Sequence, residues 1–152
     1  MTFSKTLTAN QWFALNLLVP SLYLLPLVVG YVSPKYFGFG HRWLVQIGLG
    51  VGLLGVILWI VSMWHIGSSF AVMPGAKELI TRGIYTYIRH PMYLGITLTI
   101  CGLMLACGSV FGMIYLVAVI LPVNAVRVRL EERALTNQFG ELYLAHKKNT
   151  WF

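Results

Sequence analysis

Apolar residues run without a single charge from 11 to 32 and again from 43 to 64, 22 positions each. As helices these runs measure about 33 Å, enough to cross a hydrocarbon core of ~30 Å. Pro20 and Pro26 interrupt the first run, which predicts a kink there. The short loop "SPKYFGFGHR" joins the two. A polar stretch, 65–91, carries Lys77, Glu78, Arg82, Arg89 and His90, and is followed by a long apolar run, 93–126, and a charged tail.

The run 93–126 decides the topology. One straight helix of its 34 residues would extend about 51 Å, far beyond the membrane core. Broken at Gly108-Ser109, it gives two short helices joined by a tight turn, tolerable where the bilayer thins. The expected fold is an all-α integral membrane protein, residues 1–152 forming one domain. It has about four transmembrane helices, the third and fourth as a tight hairpin, and a cytosolic C-terminal helix.

Composition moves the picture the same way. Hydrophobic residues make up 58% and charged residues 10%, against a charged share of roughly 25% in soluble domains. The net charge of +7 would suit nucleic acid in a soluble protein. Here the basic residues flank apolar runs, which points to loop bias and anionic head groups and away from nucleic acid. With four spans, the N-terminus, the 65–91 loop and the tail share one side and nine Lys/Arg, leaving Lys35 and Arg42 on the other. The positive-inside rule then puts both termini in the cytoplasm. Three spans would separate the 65–91 loop from the tail. The first run is too long, and lacks the small-residue site, for a cleavable signal. Cys101 and Cys107 lie about 9 Å apart in rise on one helix and read as small packing residues.

"GVGLLG", 50–55, fits the dinucleotide pattern G-x-G-x-x-G, but that motif needs a strand-to-helix turn. Inside an apolar segment, and with Gly48, it reads as close helix packing. "GIYTYIRHPMYLG", 83–95, carries more chemistry. Pro91 suits the first turn of a helix; free N–H groups and a positive dipole end, flanked by Arg89 and His90, suit a carboxylate or phosphate. Gly83 permits a turn, and Tyr85, Tyr87 and Tyr93 can stack on a flat ring or hydrogen bond. An interfacial belt of Arg and Tyr explains the same residues. Glu131-Glu132, half of the acidic residues in the chain, read either as helix pairs with Arg127 and Arg129 or as carboxylates for an ammonium group. His65 and His146 have no evident partners, and neither metal-ligand spacing nor a Ser or Cys nucleophile with a base stands out. A basic loop and an acidic tail on one face suit a zwitterion with an amino acid end.

"ELITRGIYTYIRHPMYLG" resembles the L-x-x-x-G-x-Y-x-x-x-R-H-P-x-Y-x-G core of the isoprenylcysteine carboxyl methyltransferase family and its relatives, including phospholipid methyltransferases. The matched positions are Leu79, Gly83, Tyr85, Arg89, His90, Pro91, Tyr93 and Gly95. "EERALTNQFGELY" is similar to the family's second block, through Glu131, Glu132, Leu135, Phe139, Gly140 and Tyr143. The resemblance covers about 64–146 and implies a helical membrane methyltransferase that binds S-adenosyl-L-methionine at the cytosolic face. The segments 65–91 and 127–146 would form that site, with Gly83, Tyr85, Arg89, His90, Tyr93, Glu131 and Glu132 binding the cofactor. The acceptor, a lipophilic or small molecule, would arrive laterally from lipid. The chain departs from the family after Tyr143. His146 stands near a second tyrosine's place, and "NTWF" offers no arginine for a substrate carboxylate.

The implied reaction is in-line displacement of a sulfonium methyl group, for which a carboxylate or thiolate acceptor needs no general base. An isoprenylcysteine carboxylate is the first acceptor. Methylation of a phospholipid amine or a small thiol is the alternative, and a non-catalytic membrane subunit retaining the fold is the third reading. No particular catalytic residue is indicated.

Overall fold

The computed structural model describes residues 9–32, 41–67 and 79–151, and all its regular elements are helical. Expectations for Lys5, for the loop over 33–40 and for Lys77 and Glu78 fall outside the described residues. Helix α1 (Ala9–Val32) continues through Pro20 and Pro26, and α2 (Arg42–Ile66) contains the glycine-rich run. A 3-10 turn (Gly83–Thr86) precedes α3 (Pro91–Cys107). Next comes α4 (Val110–Phe139), then a short α5 (Glu141–Asn149).

Two of these helices, α2 and α4, are long and apolar enough to cross a membrane, and α3 and the 20–32 part of α1 are shorter apolar helices. The apolar side chains of α2 point outward: Leu49, Leu53, Leu54, Ile57 and Ile60 are all at least half exposed. Such a surface is costly in water and natural in lipid. Trp43 and Trp64, exposed near the two ends of α2, stand about 31 Å apart along the helix. That spacing matches the two interfaces of a bilayer, where tryptophan collects. The chain is a membrane protein.

Helix α3 sits at the centre. One side packs on α2 through backbone contact. Gly48, Gly52 and Gly55 of α2 meet Gly95, Thr99, Gly102 and Ala106 of α3, the order running antiparallel. A methyl group on Gly102 would overlap the Gly52 nitrogen and the Gly48 carbonyl, neither of which can step aside. In lipid, where burying apolar groups gains little, this close approach is what holds two helices together. Gly50 faces open space, so the motif's own first glycine takes no part.

The other side of α3 meets α1 and α4. Gly108 takes a left-handed conformation (φ 65°, ψ 27°), and its N–H and that of Ser109 return to carbonyls of the last turn of α3, closing that helix. The buried Ser109 then accepts from the Gly112 N–H at 3.0 Å and caps α4. Beyond the turn, Gly112 lies on Met104, Asn124 Nδ2 donates to Thr97 Oγ1 at 2.9 Å, and Arg127 reaches Tyr93. Asn124 Oδ1 also accepts from Tyr23 of α1, so one amide ties three helices inside the apolar layer. Leu116–Ile120 forms a π turn within α4. Pro122 supplies the cause: it lacks an N–H and its ring crowds the carbonyl four residues back.

Candidate functional site

The site lies where three pieces of chain meet: the 83–90 loop, the polar end of α4, and α5 with the residues after it. Gly83 adopts φ 62° and packs on the His65 ring, where a Cβ would clash. It shapes the loop that leads to Arg89 and His90. His65 Nδ1 is itself 2.7 Å from the Val61 carbonyl. The 3-10 turn buries Tyr85 beside Glu131 and Tyr93. His90 is the N-cap of α3, with Pro91 in the first turn, and no side chain caps the helix. Its first N–H groups therefore keep their positive end facing the cluster.

The two halves anticipated from sequence come together. Arg89 Nε lies 3.5 Å from Glu132 Oε1, and His90 lies between both glutamates, 3.9 Å from Glu131 Oε2 and 3.7 Å from Glu132 Oε1. The Tyr93 phenol lies near Glu131 and accepts from Arg127 Nε at 3.4 Å, and its ring carries the Arg127 guanidinium at 5.6 Å. The bland pairing of Glu132 with Arg129 is not what it makes: its partners are Arg89, His90 and Lys147.

His90 is 4% exposed. Burial pushes its pKa down to about 4, and Arg89 and Lys147 push the same way against the opposing pull of Glu132. The ring is therefore neutral at pH 7, able to donate through one nitrogen and accept through the other. His90 Nε2 and Arg89 Nε are both buried without a hydrogen bond of proper length. Buried polar atoms left in that state favour a polar guest.

Three members of the site were not singled out beforehand. The buried Tyr143 phenol lies against Glu132, whose charge adds to burial in raising the phenol pKa. Tyr143 did have a signal, as the last residue of the second matched block. Arg127 looked like a surface helix partner and is buried. Lys147 Nζ donates to Glu132 Oε2 at 2.8 Å. Nothing in the local pattern pointed there, since the helix break at Gly140 separates the two. Among the described residues no group of three His, Cys, Asp or Glu is placed to hold a metal ion.

The family profile described as phospholipid methyltransferase matches residues 43–142. That range takes in α2, the Arg89-His90 loop, α3, α4 and its glutamates. The chain is 30% identical over 105 residues to Protein-S-isoprenylcysteine O-methyltransferase of Schizosaccharomyces pombe, covering 66% of this chain and 44% of that one. It is 34% identical over 112 residues to the Rattus norvegicus protein of the same name, 70% of this chain and 39% of that one. It is 26% identical over 147 residues to Protein-S-isoprenylcysteine O-methyltransferase B of Arabidopsis thaliana, 93% and 73%. The chain thus spans about two fifths of the fission yeast and rat proteins. By the profile match and by these shared residues, the chain belongs to the phospholipid methyltransferase family, with isoprenylcysteine O-methyltransferases among its relatives.

Proposed function

We propose that the protein is an integral membrane methyltransferase that uses S-adenosyl-L-methionine and acts on a lipophilic acceptor of the isoprenylcysteine carboxylate kind. The observation that carries this reading is the meeting of Arg89 and His90 with Glu131 and Glu132 where the start of α3 meets the polar end of α4. The donor set fits an amino acid end. Arg89 and the N–H groups of α3 suit a carboxylate, Glu131 and Glu132 suit an ammonium, and Tyr85 and Tyr93 offer rings. When bound, the cofactor supplies an electrophilic methyl group on a sulfonium. The protein's part is to hold the two reactants in line and keep water out.

The state of His90 supports a carboxylate acceptor. A ring with a pKa near 4 is a poor base for stripping a proton from an ammonium, whereas a carboxylate needs no base. The second reading, methylation of a phospholipid amine, draws its support from the description of the matching family profile. In the arrangement we favour, α1, α2, α3 and the apolar part of α4 make four spans, the last two as a hairpin. Both termini are cytoplasmic, and 65–91 and 127–146 form the cytosolic cofactor site. Cysteine labelling that put these two segments on opposite faces would refute it.

The activity is tested by transfer of a radiolabelled methyl group to prenylcysteine, to phosphatidylethanolamine and to small thiols, with purified protein in lipid nanodiscs. Base-labile label on prenylcysteine is expected. Label on phosphatidylethanolamine alone would select the second reading. No transfer to any acceptor would leave a non-catalytic fold.

A further inference from the structure

The last described residues form a strap over the site. Beyond α5, the Trp151 N–H donates to the Tyr87 carbonyl at 2.8 Å and the Arg89 N–H to the Trp151 carbonyl at 3.3 Å, a parallel bridge to the loop. The Arg89 side chain donates to the Lys147 carbonyl at 2.9 Å and to the Thr150 carbonyl at 3.3 Å. Lys147 Nζ donates to Glu132 at 2.8 Å. The strap thus presents an ammonium to the glutamate and carbonyl oxygens to the arginine. A zwitterionic amino acid would present an ammonium and a carboxylate to the same two residues.

We propose that Lys147 and the 147–151 strap are a built-in stand-in for the amino acid end of the cofactor. They hold Arg89 and Glu132 in the cofactor's absence and give them up when it binds. This rests on the cofactor reading above. The chemistry makes the stand-in the weaker ligand. Lys147 is 41% exposed, so its pair with Glu132 is mostly screened. Neutral carbonyls, in turn, hold a guanidinium less tightly than a carboxylate does. The strap competes without blocking, and it keeps Arg89 Nη1 and Glu132 Oε2 partnered between turnovers.

Calorimetric titration of the whole chain in nanodiscs with S-adenosylmethionine and with S-adenosylhomocysteine tests this. Lys147→Met should bind both about 2- to 5-fold more tightly than wild type, the range that a screened ion pair allows. Lys147→Arg, which keeps the pair, should match wild type. In wild type, hydrogen exchange at the Trp151 amide should speed up when either ligand binds. Equal or weaker binding by Lys147→Met, or slower exchange at Trp151, would overturn the stand-in while leaving the cofactor site intact. No binding by any of the proteins at millimolar ligand would remove the cofactor reading, and the stand-in with it.

Discussion

Arg89 Nε stands 3.5 Å from Glu132 Oε1, an ion pair that joins the residue before α3's cap to the polar end of α4. Both side chains are about one fifth exposed. Half-buried charges of this kind stabilise mainly by not being left alone. Glu132→Gln would strand Arg89 and Lys147 together beside His90. We expect a loss of about 1–3 kcal/mol in unfolding free energy, read from detergent-denaturant titration. Cofactor affinity should fall at least tenfold in the same variant. Unchanged stability would mean that the cluster is held by the strap's backbone bonds alone.

His90 predicts a pH dependence with a definite sign. Its folded pKa of about 4 lies below the ordinary 6.5 of an unfolded histidine. Between these values the unfolded chain binds more protons than the folded one, so stability is complete above pH 6.5 and declines as pH falls toward 4. The decline is at most about 3 kcal/mol by linkage. Below pH 4 His90 adds nothing further. Unfolding midpoints of wild type and His90→Asn measured between pH 4 and 8 should converge toward the acid end.

The α2–α3 contact predicts opposite outcomes for two glycines, Gly102 of α3 and Gly50 of α2. Gly52 sits directly against Gly102, and Gly102→Ala forces two backbones apart. It should cost about 1–3 kcal/mol, as overpacking does. Gly50→Ala meets nothing and should be neutral or gain up to about 1 kcal/mol from the better helix former. Thermal midpoints in one detergent suffice to compare them. A large loss at Gly50 would mean that this glycine contacts something after all.

Much of this was legible in the sequence because its causes are local. Apolar runs fix helices, Gly108-Ser109 is the one left-handed cap and hydroxyl pair inside the long run, and Pro91 marks where α3 starts. The glycines at 48, 52 and 55 share a spacing of four and three, which is a helix face. What stayed hidden depends on pairs distant in the chain. Lys147 meets Glu132 only because Gly140 (φ 50°) turns α5 back. Arg127 shares the surface spacing of an ordinary helix pair, and only the neighbouring α3 shows it to be buried under Tyr93. Arg89 looked available for a ligand carboxylate, and its side chain turns out to hold the Lys147 and Thr150 carbonyls.

The amide of Asn124 gives the last prediction. It accepts from Tyr23 and donates to Thr97 within the apolar layer, so α1, α3 and α4 share one polar knot. Hydrogen bonds between membrane helices average only about 0.6 kcal/mol, with the best near 1.7 kcal/mol, because a partly unfolded chain finds other partners. A double-mutant cycle of Tyr23→Phe and Asn124→Ala should give a coupling energy in that range. The sign should be stabilising, and the α2–α3 contact should survive in every variant because it is carried by backbone packing elsewhere. A coupling near zero would show that α1 is held to α3 and α4 by its apolar contacts and the Tyr115-to-Leu22 bond of 3.1 Å, with the Asn124 knot adding selectivity of register and no strength.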